Sequence, residues 1–181
     1  MITALLLATL AVIARMVSST YHLWNLAPVG AIALYAGSRL PKSHAWLIPV
    51  VAMVITDVLL DGNRSRPWLE LPRLAIYATY AVTTIIGSTA RSPRGLYWLP
   101  VLSLAASTLF FIVSNLATWA EGLLYPLSLT GLTACYVAGI PFFGRTIVAD
   151  LVGTAVLFGL GSVIERSFAR APIAANPETA D

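Results

Sequence analysis

The most regular feature of the chain is a series of apolar runs separated by short polar segments. The six runs occupy residues 2–17, 27–40, 45–60, 73–89, 97–120 and 146–164. A helix needs about 20 mainly apolar residues, with a range of about 17–25, to cross the hydrocarbon core of a bilayer. The first, fourth, fifth and sixth runs reach this length with modest extension. The second and third are short, and Leu40-Pro41-Lys42 between them predicts a tight turn.

The two short runs allow two interpretations. If both cross the membrane, Arg39 and His44 extend toward the headgroups, the bilayer thins locally, and the chain has six spans. If residues 27–60 instead form a re-entrant hairpin, four full spans remain. We favour six, so the pattern predicts an all-α, polytopic transmembrane helical bundle.

The apolar segment at residues 127–140 does not fit this series. It contains Gly131 and Gly139 and is bounded by Pro126 and Pro141. Because glycine and proline interrupt regular helices, the segment predicts a short non-spanning helix that lies across one mouth of the bundle before the last span.

The two ends of the chain differ from one another. The N-terminal apolar run has no positive residue before it, and Arg15 follows it, so we predict a first membrane helix rather than a signal peptide. At the other end, residues 169–181 predict a disordered polar tail. Residues 1–168 are expected to form a single integral membrane domain.

Composition agrees with a membrane protein. Apolar residues make up 58% of the 181 residues, charged residues 10%, and mean hydropathy is +0.81. The single Cys135 excludes an internal disulfide framework and a multi-cysteine metal site. The net charge of +3 comes from basic residues near the ends of predicted helices. This placement indicates membrane topology and not nucleic-acid binding.

Orientation follows from the loops. With six spans, both termini share one side, which holds six basic residues against five on the other. Because basic residues favour the cytoplasmic side, both termini are predicted to be cytoplasmic. The three long loops, at residues 18–26, 61–72 and 121–145, then lie together on the outside, where long connections are more often functional.

Arg15 is the first polar candidate within a membrane helix. It shares a helical face with Ala4, Ala8 and Ala11, and such small residues let another helix approach closely. Arg15 is therefore predicted to face a neighbouring helix, with extension to the headgroups as the alternative. Asp57 lies at the same depth, so an Arg15–Asp57 pair is expected, either as a structural pin or as a ligand contact.

Asn25 and His22 precede the second run. Asn25 followed by Pro28 is typical of the start of a helix, and ligand binding is the alternative for Asn25. His22 is a candidate ligand contact. His44, the only other histidine, is predicted on the opposite side, so no metal site is expected.

Asn115 and Asp150 are the polar candidates in the last two runs. Asn115 shares a face with Trp119, and it either joins helices or binds a ligand. A lone carboxylate at the depth of Asp150 costs about 2.5–3.5 kcal/mol on insertion scales, so it should face a partner or a cavity. Trp119 is a candidate stacking surface, as are Tyr125 and Tyr136 in the long loop, for which a place in an interfacial aromatic belt is the alternative. No nucleophile–base pair, zinc motif or phosphate loop is present, so neither catalytic residues nor a cofactor are predicted.

These residues resemble a bacterial family of uncharacterised small membrane proteins that are labelled as transport proteins. The resemblance covers about residues 12–160. It rests on an Arg and a His before Asn-x-x-Pro-Val-x-Ala, an Asp near the end of the third run, and a long second block. That block reads Phe110-Phe111-x-x-Ser114-Asn115, then Tyr125-Pro126, Cys135-Tyr136, Ile140-Pro141-Phe142-Phe143 and Asp150.

The family is in turn similar to the substrate-binding S components of energy-coupling-factor vitamin transporters. That similarity implies six helices, cytoplasmic termini and a ligand pocket under the outer loops. It also implies a small-residue face on the first helix, here Ala4, Ala8 and Ala11, that docks on a transmembrane coupling subunit working with ATPases. Fold similarity alone does not establish function.

Two functional hypotheses follow. In the first, the chain is a binding and uptake component of the bacterial inner membrane for a small, vitamin-like solute. Its predicted ligand contacts are Arg15, His22, Asn25, Asp57, Asn115, Trp119, Tyr125, Tyr136 and Asp150. In the second, it is a structural or assembly subunit of a larger membrane complex, and the same polar residues pin helices together. The bilayer is a partner in both, and no nucleic acid is.

Overall fold

The structure is a computed structural model, and it describes residues 2–23, 25–61 and 70–169. These residues form eight α-helices and a 3₁₀ turn at Ser88–Arg91. The helices are α1 (Ile2–Thr20), α2 (Val29–Arg39), α3 (Lys42–Ala45), α4 (Leu47–Asp61), α5 (Leu71–Gly87), α6 (Pro93–Tyr97), α7 (Leu99–Ala120) and α8 (Leu129–Ala169). The prediction of an all-helical bundle is confirmed for this part of the chain.

The six longer helices alternate in direction. Hydrogen bonds join Tyr136 to Ile112 and Thr154 to Ser103, so α7 and α8 are antiparallel. Arg15 near the end of α1 contacts Asp57 near the end of α4, so these two helices are parallel. Consequently α1, α4 and α7 end where α2, α5 and α8 begin. We call this end of the bundle the long-loop end.

Helix α2 occupies the centre of the bundle. It contacts α1, α4, α5, α7 and α8, and those five helices contact one another in the order α1, α4, α5, α7, α8. Nine of its residues are buried, including Ile32 and Leu34 at 0% exposure. The helix begins directly after Pro28. It ends at Arg39, because Leu40 precedes Pro41 and the residue preceding a proline disfavours helical geometry.

Two glycines let α2 and α5 cross with their backbones in contact. A Cβ atom added to Gly37 would collide with the carbonyl oxygen of Thr84. Reciprocally, a Cβ atom on Gly87 would collide with the backbone of Leu34. Both positions therefore require glycine, and this close approach is typical of helix pairs in membranes.

Four helical segments are long and apolar enough to cross a membrane: Thr3–Thr20, Lys42–Leu60, Leu99–Ala120 and Leu129–Val163. Helix α2, with 11 residues, is about 16 Å long, and α5, with 17, is about 25 Å long, against a hydrocarbon core of about 30 Å. Six full spans are not confirmed. The six-helix up-and-down order is present in the described ranges, with α2 enclosed by the others.

The separate short helix predicted at residues 127–140 is wrong. Residues 129–140 continue into the last predicted span as part of α8, a single helix of 41 residues that contains Pro141. They do not lie across a mouth of the bundle, because Cys135 and Tyr136 contact α7 directly. Proline is tolerated there because membrane helices re-satisfy the freed backbone carbonyl locally. Residues 170–181 of the predicted tail lie outside the described residues.

Candidate functional site

A polar cluster joins α1, α4 and α5 near the long-loop end. Arg15 Nη1 lies 2.8 Å from Asp57 Oδ1 and 3.3 Å from the carbonyl oxygen of Met53, and it also contacts the hydroxyl of Thr56. The predicted Arg15–Asp57 pair is confirmed. It lies between helices of the same chain, as expected for an ion kept away from lipid.

The second oxygen of Asp57 binds α5. Tyr77 donates its hydroxyl to Oδ2 at 2.7 Å, and Arg73 Nε lies 3.5 Å from the same atom. Asp57 itself is 7% exposed. Both carboxylate oxygens therefore contact helices, and Asp57 joins three of them as a structural pin.

Asp150 serves the beginning of α2. It is 2% exposed, and its Oδ1 accepts the backbone N–H of Ala31 at 3.1 Å, while its Oδ2 accepts the hydroxyl of Ser107 at 2.9 Å. The carboxylate also lies where a Cβ atom on Gly30 would be. The first N–H groups of a helix lack intrahelical partners and favour negative charge. Asp150 thus caps α2 from α8.

The opposite end of α2 has a matching cation. Arg91 donates through Nη2 to the carbonyl oxygen of Gly37 at 2.8 Å and also contacts the carbonyl oxygen of Leu40. The last carbonyls of a helix favour positive charge. A short helix at the centre of the bundle is consequently held by an acid at one end and a base at the other.

Two adjoining cavities open at the long-loop end. The larger, of about 420 Å³, is lined by Asn25, Ile76, Phe110, Phe111, Ser114, Asn115, Thr118, Gly139, Phe142, Phe143 and Thr146. The smaller, of about 180 Å³, is lined by Arg15, Ser18, Ser19, Asn25, Ala27, Val29, Met53, Leu60, Ile76, Tyr80, Phe110 and Thr146. We call them the phenylalanine chamber and the arginine chamber. They share Asn25, Ile76, Phe110 and Thr146.

The phenylalanine chamber has a fixed aromatic wall. The rings of Phe111 and Phe143 stack with centroids 4.5 Å apart, and Phe110 stacks on Tyr80 at 5.6 Å. Asn115 donates Nδ2 to the carbonyl oxygen of Phe111 at 2.8 Å. Volumes of about 300–1,000 Å³ with mainly apolar walls and a few polar groups are typical of small-molecule sites.

Asn25 reaches both chambers through an unusual backbone. Its φ is +61°, a left-handed conformation in which asparagine is tolerated better than most residues. The residue at the start of α2 is Pro28, and no side chain caps it from within the loop. The interpretation of Asn25 as a helix cap is therefore wrong.

His22 has a structural role at the end of α1. Its φ is +54°, its N–H donates to the carbonyl oxygen of Ser19, and the N–H of Leu23 donates to that of Ser18 at 2.8 Å. These two bonds form a Schellman motif with His22 at the left-handed position. His22 is not among the residues that line either chamber.

The three aromatic residues predicted to stack on a ligand lie elsewhere. Trp119 donates its indole N–H to the carbonyl oxygen of Pro126 at 3.0 Å, and Tyr136 donates its hydroxyl to that of Ile112 at 2.8 Å. Neither they nor the half-buried Tyr125 line a chamber. The aromatic lining comes instead from the phenylalanine pairs of α7 and α8. Both pairs belong to the sequence pattern on which the family resemblance rests. That pattern was the signal that could have identified them as lining residues.

The predicted docking face on α1 is partly enclosed by its own chain. Ala11 has 0% exposure and packs with Ile32, Ala36 and Ala52. Its prediction as a contact for a coupling subunit is wrong, because no surface remains for a partner. Ala4 and Ala8 are half-buried, and docking through them stays a prediction.

In the described ranges no three His, Cys, Asp or Glu side chains come together. Comparison with curated proteins and with solved structures finds no match. One family does match, across residues 1–174. The chain belongs to this family of unknown function, DUF6580.

Proposed function

We propose that the protein binds a small solute at the long-loop end and acts as an uptake component of the bacterial inner membrane. The observation that carries this proposal is the pair of adjoining chambers, which combine an aromatic wall with hydroxyl, amide and guanidinium groups. The sequence contains no nucleotide-binding motif. Energy for transport would then come from partner subunits, such as a coupling subunit with ATPases, or from an ion gradient.

The chambers are built from most of the bundle. Residues from α1, α2, α4, α5, α7 and α8 contribute to the lining, together with Asn25 from the first long loop. A solute bound there would contact all of these elements at once. Binding could in this way be communicated to the outer surface of the bundle.

The test is native mass spectrometry of the protein extracted gently from its own membrane. The proposal expects a co-purifying small molecule. Ser114→Phe would fill the phenylalanine chamber, since Ser114 lines it, and should remove that molecule. Leu116→Phe is the matched control, because Leu116 is 44% exposed on the same helix and lines neither chamber. Wild-type protein that is free of solute would contradict the proposal.

A second candidate function is a structural or assembly subunit of a larger membrane complex. It is favoured by the use of Asp57, Asp150 and Tyr136 as contacts within the chain, where the binding hypothesis expected ligand contacts. In the same mass spectra this role would give a stoichiometric protein complex with no bound small molecule.

Orientation belongs to the same proposal, with both termini in the cytoplasm and the long-loop end outside. In a Cys135→Ser background, Leu123→Cys should react with a membrane-impermeant maleimide in intact cells, whereas Ser43→Cys should react only after permeabilisation. Both side chains are exposed and lie at opposite ends of the bundle. The reversed labelling pattern would show the opposite orientation.

A further inference from the structure

Arg15, which lines the arginine chamber, has donors that the described part of the chain does not use. Every hydrogen bond that Arg15 makes with the described residues comes from Nη1, which reaches Met53, Thr56 and Asp57. A guanidinium has five N–H donors in a planar fork, and Nη1 accounts for two of them. Nε and Nη2 thus keep three donors without a partner in the described part of the chain.

The residue that carries these donors borders the cavity. The Arg15 side chain is 21% exposed and lines the arginine chamber. No buried side-chain nitrogen or oxygen among the described residues lacks a hydrogen-bond partner. Nε and Nη2 of Arg15 are therefore not fully buried, and Ser18 and Ser19 line the same chamber as Arg15.

The lining of the two chambers has side-chain charge of one sign, and the Asp57 that pairs with it lines neither chamber. Among the described residues that line them, Arg15 is the only one with a charged side chain. The other positive feature nearby, the beginning of α2, already holds the carboxylate of Asp150. Among the described residues that line the chambers, only Arg15 offers a carboxylate or similar anion a planar, two-donor partner.

From this arrangement we infer that the ligand is an amphiphilic organic anion, with a carboxylate-like group on the free edge of Arg15 and a flat apolar body in the phenylalanine chamber. The inference rests on the proposed function and adds the chemical class of the solute. The shared residues Phe110, Ile76, Asn25 and Thr146 would surround the middle of the molecule. The rings of Phe111 and Phe143 would contact its body.

The experiment compares two probes of nearly equal shape, naphthalene-2-carboxylate and naphthalene-2-carboxamide. Binding is measured by equilibrium dialysis on the full chain in nanodiscs of phosphatidylcholine, so that no anionic lipid competes for Arg15. A hydrogen bond to a charged group contributes more than one between neutral groups. We expect the carboxylate to bind about ten- to a hundredfold more tightly than the amide.

Arg15→Lys and Arg73→Lys make the matched pair of variants. A lysine keeps a positive charge beside Asp57 in both, but it lacks the second edge of the guanidinium. Both arginines contact Asp57, whereas only Arg15 lines a chamber. We expect Arg15→Lys to reduce the preference for the carboxylate to about threefold or less, and Arg73→Lys to leave it unchanged.

Equal binding of the two probes, a preference that survives Arg15→Lys, or no binding of either probe would overturn the inference. These failures are separate from failure of the proposed function. A neutral or cationic solute found by native mass spectrometry would overturn the anion while leaving uptake intact. Solute-free wild-type protein would overturn both.

Discussion

Removal of the Asp150 carboxylate should destabilise the whole bundle through the central helix. In Asp150→Ala, the N–H of Ala31 and the hydroxyl of Ser107 lose the oxygens that they now contact at 3.1 and 2.9 Å. The methyl group that remains cannot accept a hydrogen bond. Because the site is buried, water is not available as a replacement without opening the contact between α2 and α8.

The magnitude follows from the groups left without partners. An unsatisfied buried donor costs about 1–3 kcal/mol, and the lost interaction of a carboxylate with the start of a helix adds about 0.3–2 kcal/mol. Two donors and the helix start together give a loss of about 2–8 kcal/mol in the free energy of unfolding. Asp150→Asn keeps one acceptor oxygen, so we expect a loss of about 1–2 kcal/mol in the free energy of unfolding.

Cys135 provides the readout, because it is the single cysteine of the chain and is 2% exposed at the contact of α8 with α7. Its rate of reaction with a fluorogenic maleimide, measured in nanodiscs across a temperature ramp, reports the opening of the bundle. Val152→Ala is the matched control, since Val152 lies on the same helix with 58% of its surface exposed. The control should unfold within about 0.5 kcal/mol of wild type.

A stability of Asp150→Ala within 1 kcal/mol of wild type would refute the capping role. A further outcome would separate the two functions discussed for this residue. If Asp150→Asn folds stably but loses its bound solute, Asp150 belongs to the ligand site after all. If it folds and keeps its solute, its function is to cap α2.

Three further predictions concern other contacts of the fold. Gly37→Ala should lower the free energy of unfolding by at least about 2 kcal/mol, because the added methyl group separates α2 from α5. Gly159→Ala, where a Cβ atom meets nothing within 4 Å, should be neutral or stabilising in the same thermal assay. Arg15→Gln and Asp57→Asn should show a coupling of about 1–3 kcal/mol in a double-mutant cycle, and additive effects would exclude a direct pair. His22→Gly should unfold at a higher temperature than His22→Ala, since glycine adopts the left-handed conformation at φ +54° without strain, while the reverse order would contradict the Schellman interpretation.

The sequence predicted helix directions and buried polar pairs better than it predicted helix continuity. The Arg15–Asp57 pair follows from depth alone, because two charges at one level of an apolar bundle have few other partners. By contrast, Pro141 suggested a break that is absent from α8. A proline signals a lost hydrogen bond, but the cost depends on the packing around it, and here Phe111 and Phe143 hold the two helices together at that level.

The candidate site was predicted only in part. Arg15, Asn25 and Asn115 line the chambers, whereas the aromatic contacts were assigned to Trp119, Tyr125 and Tyr136. Those assignments favoured rings with a polar atom. Such rings can satisfy their donors on nearby backbone carbonyls, as Trp119 and Tyr136 do. Phenylalanine has no donor to satisfy, so its ring remains available as a cavity wall, and no spacing rule in a single sequence indicates which wall it forms.

The polar groups inside this bundle can be separated by asking which of their atoms the fold already uses. Both oxygens of Asp57 and both of Asp150 contact other parts of the chain, and Arg91 is occupied by the end of α2. Arg15 differs because one nitrogen makes all of its hydrogen bonds to the described residues, and the residue lines a cavity. An ionised group inside a membrane protein costs free energy that its structural contacts must offset. The structural pair joins Arg15 Nη1 to Asp57 Oδ1, while Asp57 Oδ2 contacts α5. The pair therefore does not require Nε or Nη2 of Arg15. A bound anion would give Nε and Nη2 of Arg15 hydrogen-bond acceptors that the described part of the chain does not supply.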